Sequence, residues 1–472
     1  MSTPPRPPAV KSYFFGKGYT DLWATIADAW QRNLETASDY GHKGASWFEE
    51  ELPEKILAFF CYSAAVSVVV FGSLFTLIVS ILHIVILLVF FSVIYLLFSV
   101  IAIFERLVML VRGFFSVCPN CHTRLPLPTY LCDGCGSEHP RLIPSSFGIF
   151  YHHCRCGKKL PCTIFTNRGR LKSKCSACDT MLSREHTESR KQFIPIIGGP
   201  SVGKSAYLFS LSRHLKEVTA PSLGMSANFI DAHQHQIYES VTESMNKGYP
   251  PNKTAETLPK AFDMLFQRKK TNNITLYLYD PAGEAFLDSD QLVPHKFLSY
   301  LSGIILLVDP FSFEKMSAHY ASSLLNTTGI SPSTANVNDI LTRLMIAMHR
   351  DFGLKSTDKV KIPLAVVINK VDACGLEDII GEKAVDLYPP KNEKETRGAR
   401  RNRLIRKVLH DDWNEKHFVS QLETHFSHVE FFTVSALGHS PDGKATRFTQ
   451  IRVEKPALWI LSQSNRVWRD AR

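Results

Sequence analysis

The sequence lacks charge over one long stretch, since Ile56–Phe104 contains no aspartate, glutamate, lysine or arginine. A membrane-spanning helix needs about 20 apolar residues, so this run is too long for one crossing and suits two. Its most polar point near the middle is Ser80–His83, where we predict the turn of a transmembrane helical hairpin. The alternative is a buried helix pair in a soluble protein. The position and length of the run exclude a cleaved signal peptide.

The flanks of this run are basic, with Lys55 before it and Arg106 and Arg112 after it. Because lysine and arginine favour the cytoplasmic side of membrane proteins, we expect both ends of the chain on that side. Before the run, apolar residues recur at helical spacing from Thr20 onwards. This stripe predicts a helix that packs on another helix or lies on a membrane surface.

Disulfide bonds are not expected, although the chain has 11 cysteines, because eight of them fall in close pairs, as metal ligands do. Two C-x2-C pairs predict one four-cysteine zinc site, formed by Cys118, Cys121, Cys132 and Cys135. A C-x-C pair and a C-x2-C pair predict a second one, formed by Cys154, Cys156, Cys175 and Cys178. Rival ligands for the second site are His152, His153 and Cys162. Neither set has a spare position for a substrate, so both sites are expected to be structural.

The second cysteine set lies in a basic segment without interleaved aromatic residues. Its basic residues are Lys158, Lys159, Arg168, Arg170, Lys172 and Lys174. Nucleic acid is not indicated as a partner, because no aromatic platform is present on which bases could stack. We expect instead a solvated face near the membrane that attracts anionic lipid. The formal net charge of the whole chain, +10, fits contact with an anionic surface. It does not show whether that surface is nucleic acid, acidic lipid or an acidic partner.

A phosphate-binding loop is predicted at residues 198–205, Gly-Gly-Pro-Ser-Val-Gly-Lys-Ser. It follows an apolar run and precedes the start of a helix. Gly198 and Gly203 allow the backbone, including Ser201, to curl around a polyphosphate. Lys204 is expected to reach the outer phosphates, and the hydroxyl of Ser205 to ligate magnesium. The alternative is an ordinary glycine-rich turn.

Three later motifs, each after an apolar strand, point to guanine nucleotide. Asp-Pro-Ala-Gly-Glu at 280–284 places Asp280 near the magnesium and Gly283 near the γ-phosphate. Asn-Lys-Val-Asp at 369–372 supplies a carboxylate that can accept from two guanine donors at once. The third motif, Ser-Ala-Leu at 435–437, is a candidate loop over the base. The expected base-binding residues are Asn369, Lys370, Asp372, Ser435 and Ala436. All four motifs in this order predict a GTP-binding domain.

Hydrolysis needs a threonine near magnesium and a group that orients the attacking water. We assign the first role to Thr254, with Thr257 as the rival, and the second to Glu284. Magnesium is then held by Ser205, Thr254 and Asp280. The charge of Glu284 beside the γ-phosphate predicts slow intrinsic hydrolysis, relieved by Lys253 or by a partner's arginine. Alternatively, Glu284 only caps the following helix.

From about Gln192 onwards strands and helices alternate, which predicts an α/β fold, a P-loop GTPase with a mostly parallel sheet. The expected domains are a tail and amphipathic helix (1–54), the transmembrane hairpin (55–112), tandem zinc ribbons (115–190) and the GTPase domain (191–472). A basic insertion around Arg397–Lys407 is either a solvated helix face or a contact for lipid or a partner.

The cysteine ribbons, Tyr249–Thr254, the Asp280–Glu284 motif and the terminal Leu458–Leu461 together resemble the double-GTPase group of the bacterial TRAFAC (translation-factor-related) clade. The resemblance covers roughly residues 115–472. It implies a P-loop GTPase fold and a role in bacterial conflict or membrane-associated regulation, at the bacterial inner membrane. This chain differs from the group in having one GTPase domain and an apolar hairpin ahead of it.

We therefore expect a membrane-anchored GTPase that uses GTP, magnesium and zinc and acts as a switch on a protein effector. One alternative is a dynamin-like membrane-remodelling machine, although the sequence lacks the long helical stalk that such a machine needs. The other is a scaffold that binds nucleotide without hydrolysing it.

Overall fold

The computed structural model divides the chain into two compact units, an N-terminal unit (1–112 and 127–176) and a C-terminal unit (113–126 and 177–472). The described residues are 9–112, 116–118, 121, 123–183, 189–251, 261–268, 273–279, 300–321, 331–355, 357–441 and 446–471.

The N-terminal unit begins with an antiparallel pair of helical segments. Helix α1 is Lys17–Phe48, and after a short turn α2 (Leu52–Ser67), a π-helical segment (Val68–Gly72) and α3 (Ser73–Arg112) continue one another. We call these three segments the apolar rod. Reciprocal hydrogen bonds of a capping box between Glu51 and Glu54 start the rod. The helix Leu52–Val111 has 60 residues, and its most apolar 18-residue window has a mean hydropathy of 3.1, so by length and composition it could cross a membrane.

The turn predicted at Ser80–His83 is wrong, because these residues lie inside α3. No glycine or proline interrupts the helix there, so each backbone N–H keeps its intrahelical partner. The chain reverses earlier, at Glu49–Glu51, and α1 then packs along the rod. Tyr19 stacks on Phe91 with ring centroids 4.5 Å apart. Helix α1 thus packs on the rod, which is one of the two interpretations that its spacing allowed, while Trp23 and Leu34 of its apolar stripe are 71% and 63% exposed.

The rest of the N-terminal unit is built from short strands. An antiparallel sheet has the order β1 (Ala9–Val10), β6 (Tyr151–Cys154) and β7 (Lys159–Pro161). In a second sheet β4 (Thr129–Leu131) pairs with both β5 (Glu138–His139) and β8 (Ser173–Lys174). The backbone of residues 9–10 is therefore held beside His153 and Cys154.

The C-terminal unit is organised around a seven-stranded sheet of order β11-β12-β13-β10-β14-β15-β16. Its strands are β10 (Arg190–Ile197), β11 (Ser226–Phe229), β12 (Ala261–Gln267), β13 (Ile274–Tyr279), β14 (Ile304–Val308), β15 (Leu364–Ile368) and β16 (Val429–Thr433). Only the pairs β11–β12 and β12–β13 are antiparallel. The other four pairs are parallel, so the sheet is mostly parallel, as predicted. The unit also contains the small strands β2 (Ser116–Val117), β3 (Arg124–Leu125) and β9 (Met181–Leu182).

Helices cover both faces of this sheet and bury it. In chain order they are α4 (Lys204–His214), α5 (Ala220–Ser222), α6 (Ala232–Asn246), α7 (Glu314–His319), α8 (Val337–Phe352), α9 (Leu376–Ile380), α10 (Glu382–Leu387), α11 (Arg397–Lys407), α12 (Lys416–His425) and α13 (Glu454–Ser464). One core lies under α4, α6 and α13 and includes Tyr207 and Trp459. The other lies under α8, α11 and α12 and includes Leu344 and Phe418. The terminal helix α13 is therefore a core element.

Candidate functional site: a nucleotide pocket at the carboxyl edge of the sheet

The loop 198–205 joins the end of β10 to the start of α4. A Cβ on Gly198 would lie 2.7 Å from the carbonyl oxygen of Leu307, and one on Gly199 would lie 2.7 Å from Ser333 Oγ. Gly203 has φ +90° and directly precedes the helix. The loop can therefore be built only with glycine at these places. Its N–H groups lie at a helix N-terminus, which favours an anion.

Lys204 points into this loop. Its Nζ donates to the carbonyl oxygens of Gly198 (3.0 Å) and Gly199 (2.9 Å). The ammonium is thus held within the loop, where a bound polyphosphate would compete with these carbonyls for it. The contact of Lys204 with the outer phosphates stays a prediction.

Asn369 joins the three described motifs. Its side chain is buried; Nδ2 donates to the carbonyl oxygen of Val202 (2.8 Å), and Oδ1 accepts from the N–H of Ala436 (3.2 Å). One amide therefore ties the phosphate-binding loop to the loop predicted to cover the base. An open pocket lies beside it, lined by Asp372, Lys370, Ala436 and His439 among others. The structure thus brings these sequence-predicted residues together.

The loop over the base is fixed by hydrogen bonds of its own. The Oγ of Ser435 accepts from the N–H of Gly438 (2.7 Å), and Ser210 Oγ of α4 donates to the carbonyl oxygen of Ala436 (2.6 Å). His439 stacks on Phe448 with ring centroids 4.8 Å apart. His439 lines the pocket and was not predicted from the sequence, since a histidine after this motif carries no distinctive spacing.

Asp309 is a second residue at the site that was not predicted from the sequence. It is buried, and Oδ2 accepts from Lys370 Nζ (2.7 Å) and from the N–H of Ser333 (2.9 Å). The same Nζ donates to the carbonyl oxygen of Ser201 (2.9 Å). Asp309 therefore positions Lys370 against the phosphate-binding loop. The available signal was a carboxylate directly after a strand of the same sheet edge.

Four predicted residues lie outside the described part of the chain, namely Thr254, Asp280, Gly283 and Glu284, as does the rival Thr257. Of their surroundings, the end of β13 is described, and Tyr279 pairs in register with Pro195 of β10. The chain thus reaches Asp280 from a strand that neighbours the strand leading into the phosphate-binding loop.

The eight paired cysteines form two clusters, but in a different combination from the predicted one. One cluster is Cys118, Cys121, Cys175 and Cys178, and the other is Cys132, Cys135, Cys154 and Cys156. In each the sulfurs lie within 4.8 Å of one another, as tetrahedral thiolates around zinc do. Along the chain, the first cysteine pair thus clusters with the fourth pair, and the second pair clusters with the third. Sequence spacing identifies which cysteines share a turn, whereas tertiary packing decides which turns meet.

The rival ligands belong to neither cluster. His152 is buried, with Nε2 3.1 Å from Ser145 Oγ, and burial lowers its pKa to about 4. The Sγ of Cys162 donates to the carbonyl oxygen of Ile149 at 2.9 Å, and burial raises its pKa to about 12. By contrast, hydrogen bonds from Ser137 lower the pKa of Cys135 to about 6, which favours the thiolate that a metal needs.

The basic helix α11 is paired within its own unit. Its ion pairs are Arg397–Asp386, Arg401–Glu430, Arg403–Glu395 and Arg406–Glu423. These arginines have acidic partners at 2.5–2.9 Å, so much of the positive charge of the insertion is compensated within the unit, and its contact with lipid or a partner stays a prediction.

A family model described as Double-GTPase 2 matches residues 192–443, a little over half of the chain. Similar solved structures include the Arl6 small GTPase from Trypanosoma brucei with a bound nucleotide analogue, at 12% identity and a TM-score of 0.25, covering 58% of this chain and 98% of that one. Another is the G domain of the FeoB iron transporter from T. maritima, at 10% identity and a TM-score of 0.23, covering 58% and 99%. No curated protein matches the chain.

Proposed function

Because the chain belongs to the Double-GTPase 2 family, we propose that it binds and hydrolyses GTP as a regulatory switch anchored in a membrane. The observation that carries this proposal is the bridge made by Asn369. It connects the carbonyl of Val202 in the phosphate-binding loop with the N–H of Ala436 in the base loop, so one nucleotide can contact both.

The recognition of guanine is assigned to Asp372, whose two carboxylate oxygens match the two donors on the guanine edge. Adenine presents no such pair of donors and would leave the carboxylate unpaired. Lys370, held by Asp309, also lines the pocket. Magnesium is assigned to Ser205 with Thr254 and Asp280, where it would neutralise phosphate charge.

Catalysis is assigned to Lys204, Thr254 and Glu284. A loose phosphoryl-transfer transition state needs an oriented water and cations near the phosphates. Lys204 supplies one cation, and Glu284 orients the water. The negative charge of Glu284 keeps intrinsic hydrolysis slow, so a partner that adds an arginine would turn the switch off faster.

The two cysteine clusters are proposed to hold one zinc ion each as structural sites. All eight side chains are cysteines gathered in fours, with no exchangeable fifth group. The apolar rod is proposed to anchor the chain in a membrane, with the GTPase unit on the cytoplasmic side, at the inner membrane of a bacterium, and with a protein effector as partner. The support is its long run of exposed apolar residues.

The test measures GTP binding and single-turnover hydrolysis separately for the wild type, Lys204→Ala and Glu284→Ala. We expect Lys204→Ala to lose binding, and Glu284→Ala to bind normally but hydrolyse more slowly. Wild-type hydrolysis by Glu284→Ala would remove that residue from the mechanism. Wild-type protein that binds GTP without releasing phosphate would favour the non-hydrolysing scaffold.

A further inference from the structure

We infer that the ribbon part of the N-terminal unit binds the headgroups of an anionic lipid bilayer beside the point where the apolar rod leaves it. The surface consists of Val10, Phe150, Tyr151, Lys159 and Phe165, and we call it the ribbon face. The inference rests on the proposed membrane anchoring and adds to it the class of lipid that the protein contacts.

The ribbon face is joined firmly to the rod. Glu105 and Arg168 form a buried ion pair at 3.2 Å, and Glu105 Oε1 also accepts from the N–H of Ile164 at 3.0 Å. Phe104 stacks on Phe165 with ring centroids 5.8 Å apart. These contacts fix the height of the ribbon along the rod.

That height coincides with the end of the uncharged run. Glu105 is the first charged residue after Phe104, and charged residues are costly in the hydrocarbon core. The uncharged run is longer than one bilayer crossing, so a crossing formed by its last ~20 residues would place the headgroup layer near Glu105. Phe165, which contacts the rod at this level, is then at headgroup depth too.

The strand pairing sets the side of the sheet for Val10, Tyr151 and Lys159, while Phe150 and Phe165 lie outside its strands. His152 and Leu160 are opposite one another and buried, so Tyr151 and Lys159 point to the other side of the sheet. Phe150, Tyr151, Phe165 and Val10 are each about half exposed. Tyrosine is enriched at membrane–water interfaces, and phenylalanine is common on the apolar faces of segments that lie in them.

The charge of the segment selects anionic lipid. Residues 139–178 contain eight lysines and arginines and no aspartate or glutamate. Arg168 is compensated by Glu105, and Lys174 by Glu138. The exposed basic residues that remain are Arg141, Arg155, Lys158, Lys159, Arg170 and Lys172. Zinc bound by the thiolates of the cluster at Cys132, Cys135, Cys154 and Cys156 would give that site a net charge of about −2. This negative charge is smaller than the positive charge of the six basic residues. Continuity with the rod favours a bilayer over a soluble polyanion.

The test uses the full chain in lipid nanodiscs made of phosphatidylcholine alone or with added phosphatidylserine. The readout is the rate at which a water-soluble amine reagent modifies each lysine, followed by mass spectrometry. We expect Lys158 and Lys159 to react about fivefold more slowly with phosphatidylserine present, and high salt to abolish the difference. Lys391 and Lys394, exposed in the C-terminal unit, serve as controls and should not change.

A matched pair of variants tests the aromatic part. Tyr151→Ser combined with Phe165→Ser should reduce the protection of Lys158, while Tyr249→Ser, an exposed tyrosine of the other unit, should leave it intact. Equal zinc content in the two variants would show that the ribbon still folds.

Three outcomes would overturn the inference. If lysines react equally fast in both kinds of nanodisc, the ribbon face does not bind headgroups, although the anchoring stands. If a single-stranded oligonucleotide protects the lysines and phosphatidylserine does not, the face binds nucleic acid. If the chain is not retained in nanodiscs at all, the proposed membrane anchoring itself fails.

Discussion

The strand β14 and the rod have similar amino acids but opposite surroundings. All five residues of Ile304–Val308 are at most 1% exposed, whereas Ile84, Val85, Ile86 and Leu88 are 42–62% exposed. The strand has helices on both faces of its sheet, while the rod has α1 along one side. Apolar composition thus shows that a segment avoids water. The packing shows whether protein supplies the apolar partner, and the rod requires another one, such as lipid.

The largest expected effect compares equal truncations in the two regions. Leu306→Ala should lower the free energy of unfolding of the C-terminal unit by about 2–5 kcal/mol, because it leaves a cavity in a packed core. Leu88→Ala should leave that stability unchanged. Urea unfolding of the full chain in detergent, followed by tryptophan fluorescence, measures both. Equal losses would mean that the rod is also part of a packed protein core.

A charge placed on the rod tests its apolar partner. Leu88→Arg should weaken membrane insertion by at most about 2.5–3.5 kcal/mol, the cost of arginine at the centre of a spanning helix. Extraction of membranes with alkaline carbonate measures the retained fraction. Lys391→Arg is the control. Unchanged retention of Leu88→Arg would show that this face does not meet lipid.

At the carboxyl edge of the sheet, the buried carboxylate of Asp309 can be compared with the more accessible carboxylate of Asp372. Asp309→Asn should weaken GTP and GDP binding alike by about 1.5–3 kcal/mol, because it removes the partner that holds Lys370. Asp372→Asn should instead lower the preference for GTP over ATP, by about 1–3 kcal/mol. Fluorescent-nucleotide titration separates the two. Wild-type protein with equal affinity for GTP and ATP would contradict the assignment of Asp372.

A lysine buried in the sheet gives the smallest expected effect, a change in the free energy of unfolding per pH unit. Burial lowers the pKa of Lys191 in β10 to about 7, well below its usual 10.5. Between these values the unfolded chain binds more protons, so stability should rise from pH 7 to pH 10, by at most about 1.4 kcal/mol per pH unit. Lys191→Met should flatten this slope, and Lys361→Met, at an exposed position, should not. Thermal unfolding as a function of pH checks this.

Much of the nucleotide site could be predicted from local sequence. Phosphate binding needs a loop whose glycines allow close backbone contact, and Gly198 and Gly203 stand where a Cβ or a right-handed backbone would not fit. Asn369, Lys370 and Asp372 follow β15 directly, and Ser435 and Ala436 follow β16 within two residues or three. Parallel strands bring their carboxyl ends to one edge, so motif order along the chain was enough to assemble them. Local motifs also identified the paired cysteines.

Only the tertiary structure decided what depends on residues far apart in sequence. The ion pair of Asp309 with Lys370 joins two strands, and the combination of cysteine pairs follows from which turns pack together. At Ser80–His83 the local sequence, which has no glycine or proline, allows a helix as well as a turn, and the structure has a helix there. The antiparallel partner of the rod is α1, which the charge-free run could not indicate. Short-range patterns fix backbone conformation and ligand type, whereas long-range contacts select among arrangements that those patterns allow equally.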